Sequence, residues 1–166
     1  MNPRLDQRLF RQLCEQARSS PRRRAHLNLH HSFDDPVQRL CIGLAEGTYV
    51  RPHAHPQAHK WELILALQGT TCLVIFDADG RLRERLLLAP EEPTGGIELA
   101  PGTWHTLYPA DTESVILEIK QGPYDPSQAA TFPDWAPEEA SPAADRYLAW
   151  LRQAHTGQEF SEMGNG

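Results

Sequence analysis

The sequence predicts an all-β fold, a single sandwich or barrel, on three observations. About eight apolar or alternating runs of strand length lie between residues 26 and 120, each bounded by turn residues. Apolar residues at helical spacing are confined to the two ends of the chain. Between them, His53, His55, His59 and Glu62 crowd three imidazoles and a carboxylate into ten residues, a cluster suited to one ion held inside a barrel.

Composition bounds the rest. With 166 residues, 40% of them hydrophobic, the chain has the size of one domain with one sizeable core. Sixteen Lys and Arg against 22 Asp and Glu give a net charge of −6, which offers no footprint for a polyanion and excludes nucleic acid as a partner. Cys14, Cys41 and Cys72 are odd in number, far apart and set in apolar runs, so they read as reduced core residues of a cytoplasmic protein. The N-terminus lacks an apolar signal core and no run is long enough to span a bilayer, so neither secretion nor a membrane partner is expected.

From Arg4 to Arg18, Leu5, Leu9, Phe10, Leu13 and Ala17 recur at helical spacing and Ser19-Ser20-Pro21 ends the pattern, giving an amphipathic helix (1–21) packed on the barrel. Arg22, Arg23 and Arg24 read as a solvated loop, with a phosphate clamp for a ligand as the alternative. His26 to His31 alternates with period 2, a short strand that shows His26, Asn28 and His30 on one face; turned inward, that face lines a pocket. After the turn Asp34-Asp35-Pro36, Val37 to Ala45 reads as a strand with Leu40, Ile42 and Leu44 opposite Arg39, Cys41 and Gly43. Glu46-Gly47 turns into the histidine stretch, and Glu62 opens the buried run Leu63 to Leu67, closed by Gly69.

Thr70 to Phe76 and Arg81 to Leu88 flank the hairpin signal Asp77-Ala78-Asp79-Gly80. A Pro/Gly loop at 90–96 precedes Ile97-Glu98-Leu99, Thr103 to Tyr108 and Glu113 to Lys120, which complete a barrel over 22–122. Residues 123–155 read as a Pro-rich wrap anchored by Tyr124, Phe132 and Trp135, followed by a helix that Ser141 caps, Pro142 opens, and Ala144, Tyr147, Leu148 and Leu151 stripe. The polar, Gly-containing tail 156–166 is expected to be disordered.

His53 and His55 are two apart, so on extended backbone they leave the same face and close on one ion. Pro101-Gly102-Thr103-Trp104-His105 supplies another imidazole after a tight turn. Nitrogen and carboxylate oxygen suit one divalent transition metal (Zn, Fe, Mn or Ni), and a site of three His and one Glu leaves coordination positions open for water or substrate.

Gly47-x5-His53-x-His55-x6-Glu62-x6-Gly69 resembles the first motif of the cupins, and Gly95 to Pro109, with Pro101-Gly102-x2-His105, the second. The resemblance implies a double-stranded β-helix (jelly-roll) barrel with an N-terminal and a C-terminal flanking helix, and the metal ligands His53, His55, Glu62 and His105. The His55–Glu62 loop is longer than usual, so His59 stands as an alternative third ligand; Ala100 and Pro109 replace the usual proline and asparagine. Short motifs at 24–30, 35–39, 49–53, 60–62, 101–105 and 122–126 are together similar to the WbuC family of cupin-fold metalloproteins. That likeness implies a bacterial cytosolic protein associated with O-antigen and other surface-polysaccharide biosynthesis, and the cupin resemblance implies a homodimer paired through an edge strand.

The leading functional expectation is a metal-dependent enzyme that isomerises, epimerises or hydrolyses a small polar molecule, a sugar or nucleotide-sugar intermediate. Arg39, Arg51, Lys60 and Lys120 are candidates to hold its anionic groups, and Asn28, His30 and Trp104 to line its pocket. The alternatives are an iron-dependent dioxygenase and a non-catalytic small-ligand binding module. No catalytic acid or base is evident from sequence.

Overall fold

The computed structural model describes residues 3–91 and 93–161. In chain order the elements are α1 (Gln7–Ser19), β1 (Arg24–Asn28), β2 (Val37–Ala45), β3 (Glu62–Gln68), β4 (Thr71–Phe76), β5 (Leu82–Leu88), β6 (Gly96–Leu99), β7 (Trp104–Pro109), β8 (Glu113–Gln121) and α2 (Pro142–Gln153). The strands form two antiparallel sheets, β1-β2-β8-β3-β6 and β5-β4-β7. Ile42, Ile64 and Ile116 of the first sheet meet Leu73, Leu88 and Leu107 of the second in one apolar cluster. The fold is the expected jelly roll with a helix at each end.

Period 2 gives each strand a second face, and the helices cover it. Asp6 caps α1 by accepting hydrogen bonds from the amides of Arg8 and Leu9 at 3.1 and 3.0 Å, which starts the helix later than the apolar spacing alone suggests. Phe10, Leu13 and Cys14 of α1 pack on Cys41 and Val115, on the outer face of the first sheet. The approach is close: a Cβ on Gly43 would stand 2.7 Å from the Leu13 carbonyl oxygen. On the other side, Tyr147, Leu148 and Leu151 of α2 cover Cys72, Val74, Phe76 and Tyr108 of the second sheet. The three cysteines are free and buried.

Two local expectations change. Ser141 precedes α2 but does not cap it with its side chain, because its Oγ donates to Glu138 O at 2.7 Å; Pro142, which has no N–H to satisfy, begins the helix instead. The expected disorder from residue 156 does not hold as far as 161. Gly157 N donates to Leu82 O (2.7 Å), Leu82 N donates to Gln158 O (2.8 Å), and Phe160 packs edge-on against Tyr147 with ring centroids 4.8 Å apart. Residues 162–166 lie outside the described residues.

The segment after β8 wraps the barrel and bears directly on the site. Trp135 donates its indole N–H to Ala78 O and lies over Gly80, where any Cβ would stand 2.7 Å from its ring. Ala54 and Thr131 exchange two backbone hydrogen bonds (3.1 and 2.9 Å), which straps this segment to the histidine stretch. Arg51 ties it further by donating to the carbonyls of Ala136 and Pro133. Among the described residues no helix is long and apolar enough to cross a membrane.

Candidate metal centre

The segment between β2 and β3 carries His53 and His55 on irregular backbone, and three sets of hydrogen bonds hold it. His53 and His105 exchange backbone bonds of 3.0 and 2.9 Å, Gly102 donates to His55 O at 2.8 Å, and Ala54 is held by Thr131. The first of these sets the imidazoles of His53 and His105 side by side, with ring centroids 4.4 Å apart. His53 and His55, two apart, share a face as expected, with centroids 5.4 Å apart. Glu62 opens β3 and is 2% exposed. Ligand atoms of His53, His55 and Glu62 all lie within 4.8 Å of one another, and His105 Nε2 is 3.1 Å from Glu62 Oε2. His59, on the same loop, is exposed and stands apart from this cluster.

The histidines are oriented alike. Nδ1 of His53 meets Arg51 O at 3.0 Å, Nδ1 of His55 meets Ala129 O at 2.5 Å, and Nδ1 of His105 meets Thr103 O at 2.9 Å. A carbonyl only accepts, so each Nδ1 carries the proton and each neutral ring keeps its Nε2 lone pair free. His55 Nε2 is then 3.5 Å and His105 Nε2 3.1 Å from a carboxylate oxygen that is also an acceptor, and both His55 Nε2 and Glu62 Oε2 are buried without a hydrogen-bond partner. Facing lone pairs in a buried site require a proton or a cation between them. These donors therefore fit a divalent metal, and the carbonyls that fix the rings are the outer contacts such a site uses.

The electrostatics favour a cation, whether proton or metal, between Glu62 and the histidines. Burial pushes the His53 imidazole down to about 3, helped by His105 beside it, so it stays a neutral donor. Burial alone would raise Glu62, but the contacts from His105 and His55 outweigh it and hold the carboxyl well below its ordinary range. For His105 burial works downward and the Glu62 carboxylate more than offsets it, leaving a net upward shift.

A cavity of about 440 Å³ opens beside the cluster, lined by His53, His55 and His105 and, across from them, by residues of β1, β2 and β8. Of the residues expected to bind substrate, Asn28, His30, Arg51 and Lys120 line it. Arg39, Lys60 and Trp104 do not. Arg39 alternates with Gln38 and Leu40, which face the cavity, so it leaves the opposite side of β2. Trp104 neighbours His105 on β7 and for the same reason points away, packing edge-on against Trp135 at 6.1 Å. Lys60 donates to the carbonyls of Gln121 and Pro123 and lines a smaller neighbouring cavity of about 300 Å³ with His59.

Sequence reading missed Glu118. It lies on β8 one alternation before Lys120, is 8% exposed, and its Oε1 is 2.5 Å from Lys120 Nζ, which is also 3.8 Å from Glu62 Oε1. Burial and the nearby Glu62 raise the Glu118 carboxyl, while for Lys120 the two carboxylates override burial and keep the ammonium charged. The signal was present in the alternation, because the face Ser114, Ile116, Glu118, Lys120 ends in two charges where the rest of the strand turns inward. Arg22, Arg24 and Glu139 also border the cavity, with Glu139 Oε1 2.6 Å from Arg24 Nη2 and Oε2 2.8 Å from Arg22 Nη2.

The fold is a two-sheet jelly roll that gathers His53, His55 and Glu62 into one cluster suited to a metal, with His105 against Glu62. The family model for a domain of unknown function, DUF6016, matches residues 5–88, just over half of the chain, and the chain belongs to that family. No curated protein matches the sequence. Among solved structures the chain is similar to oxalate oxidase in complex with glycolate, at 17% identity and a TM-score of 0.53 over 69% of this chain and 57% of that one. It is also similar to the capsular polysaccharide assembling protein CapF from Staphylococcus aureus, at 16% identity and a TM-score of 0.57, over 69% of this chain and 32% of that one. The chain thus matches little more than half of the one protein and about a third of the other.

Proposed function

We propose that the protein is a metal-dependent cupin that binds, and acts on, a small anionic molecule. The observation that carries this reading is the convergence of His53, His55, Glu62 and His105, with every Nδ1 pinned to a carbonyl and every Nε2 left as a donor. Those four residues hold one divalent transition metal in this reading, and Glu62, not His59, is the carboxylate or imidazole that completes the set. A bound metal supplies Lewis-acid polarisation of a carbonyl or an activated water. The chain supplies the rest. Lys120 places a permanent ammonium at the edge of the centre, and Glu118 and Glu62 hold it there. Arg22, Arg24, Arg51 and Lys120 outnumber Glu118 and Glu139 around the cavity, a balance that favours an anionic ligand.

The finer reading is a sugar or nucleotide-sugar intermediate of surface-polysaccharide assembly, handled in the cytoplasm by a homodimer. It is supported by the motif likeness to the WbuC family and by the name of CapF, a fold neighbour.

Elemental mass spectrometry of untagged protein, purified without added metal, tests the central claim. About one metal per chain is expected, lost in His53→Ala, His55→Ala, Glu62→Ala and His105→Ala and kept in His59→Ala. Folded wild type that holds no metal and takes none up would refute it, and His59→Ala emptying the site while Glu62→Ala leaves it filled would overturn the ligand assignment. Iron as the bound metal would move the reaction toward oxygen chemistry; zinc, manganese or nickel would favour isomerisation or hydrolysis.

A further inference from the structure

His30 lies outside the metal cluster yet borders the same cavity. It is 9% exposed, and its Nε2 is a buried atom with no hydrogen-bond partner. Its tautomer follows from the backbone around it. Arg39 O accepts the Leu29 amide at 2.8 Å, so the Arg39 N–H points to the same side of β2, where it meets His30 Nδ1 at 3.0 Å. If Nδ1 carried the proton and gave it to Arg39 O, at 2.9 Å, the Arg39 amide would be left with no acceptor on that side. His30 therefore accepts at Nδ1 and carries its proton on Nε2. His53, His55 and His105 are the opposite tautomer. One end of the cavity presents lone pairs and the other presents an unused donor.

Sheet register places the two ends. Glu62 pairs with Lys120 and Lys120 with Gln38; β1 ends at Asn28 opposite Leu40, and the bend after it sets the His30 ring against the Arg39 backbone of β2. Gln38, Lys120 and Glu62 thus form one row across three strands, spanning about 10 Å at the usual strand spacing, and His30 borders the cavity past the β2 end of that row. Gln38 is spent on the carbonyls of Ser32, Phe33 and Asp35, and Lys120 is held at the metal end by Glu118 and Glu62, so His30 is the donor left for a ligand at this end. Phe33 and Tyr124, with ring centroids 5.1 Å apart, wall the His30 end, and the Phe33 ring is 5.8 Å from the imidazole and 54% exposed. The Phe33 carbonyl is held by Tyr124 N at 2.7 Å, so its ring can turn aside without moving the loop.

We propose that His30 forms a second anchor, for an acceptor oxygen at the far end of an elongated small oxyanion whose near end lies at the His53–His55–Glu62–His105 cluster, beside Lys120. The ligand class is a molecule with oxygen acceptors at both ends, such as a dicarboxylate or an acidic polyol. This rests on the metal reading above. His30 sets the length the cavity accepts, and Phe33 uncovers it as the ligand enters.

The test is calorimetric titration of the zinc-loaded protein with acetate and with the linear dicarboxylates from malonate to adipate, zinc content being measured on the same sample. At least one dicarboxylate is expected to bind tenfold or more tightly than acetate. His30→Asn keeps an oxygen for the Arg39 amide and loses the cavity donor, so it should abolish that gain while leaving acetate affinity and melting temperature unchanged. Long-range proton–nitrogen spectra of histidine-labelled wild type should show the Nε2–H tautomer for His30, with a shift on adding the preferred dicarboxylate and none with acetate. Full zinc occupancy with no length-dependent gain, equal losses for both probes in His30→Asn, or an Nδ1–H tautomer would each overturn the second anchor alone. A sample that binds no zinc would remove the metal reading and this proposal together.

Discussion

Replacing Glu139 by Gln tests the latch that joins the start of the barrel to the segment leading into α2. The carboxylate meets Arg24 Nη2 at 2.6 Å and Arg22 Nη2 at 2.8 Å, and the Arg24 side chain is 7% exposed while that of Arg22 is 61% exposed. The Arg22 arm is solvated and contributes little. Removing one partner of a fully buried pair costs about 3–5 kcal/mol. Here Glu139 keeps partial contact with water and Arg24 retains the Tyr49 carbonyl at 3.0 Å, so the expected loss is about 2 kcal/mol. For a domain of this size that corresponds to a fall of about 4–8 °C in melting temperature at pH 7. The pH dependence has a definite sign. Burial alone would raise the Glu139 carboxyl, and Arg24 and Arg22 outweigh it, so its folded pKa lies below the ordinary value. Its contribution is complete above the unfolded value of about 4.3 and is lost as pH falls through the folded value. Melting curves of wild type and Glu139→Gln from pH 7 to pH 3.5 should therefore converge at the acid end. Equal melting temperatures at pH 7, or a gap that widens on acidification, would refute the latch.

Two further substitutions probe the frame and the strap. Gly43→Ala pushes a methyl group into the Leu13 carbonyl at 2.7 Å and should cost about 1–3 kcal/mol in urea denaturation while leaving metal content unchanged; a neutral result would mean that α1 is not held as closely as described. Thr131→Pro removes the N–H that donates to Ala54 O at 2.9 Å, two residues from the carbonyl that orients His55, and should weaken zinc binding about tenfold in competition with a chromophoric chelator. Unchanged zinc affinity would show that the strap is not part of the site.

Much of this could be read from the chain because its signals are local. Val37–Ala45 was bounded to the residue by alternation between an Asp-Pro turn and a Glu-Gly turn, and His53 and His55 announced a shared face simply by being two apart on extended backbone. What escaped depends on partners far away in sequence. Arg22 and Arg24 read as a solvated basic loop because Glu139 lies more than a hundred residues downstream. The tail from 156 read as disordered because its anchors, Leu82, Tyr147 and Trp150, lie elsewhere in the chain. Ser141 carried the composition of a cap, but a carbonyl three residues earlier competes for its hydroxyl. The choice between His59 and Glu62 turns on where a long loop places its side chains, and the burial of Glu62 and exposure of His59 follow from strand pairing that spacing alone does not reveal.

The carbonyl that orients His55 belongs to Ala129, and the donors themselves are drawn from residues 53 to 105. The family match ends at residue 88, so the stretch it covers contains His53, His55 and Glu62 but neither His105 nor the strap. An emerging chain therefore holds no finished cluster until its last quarter has folded back over the histidine stretch. A metal held there, as proposed, would read out completion of the whole molecule: it would stabilise against global unfolding, and an opening that lifts the strap would loosen one histidine before the barrel itself comes apart.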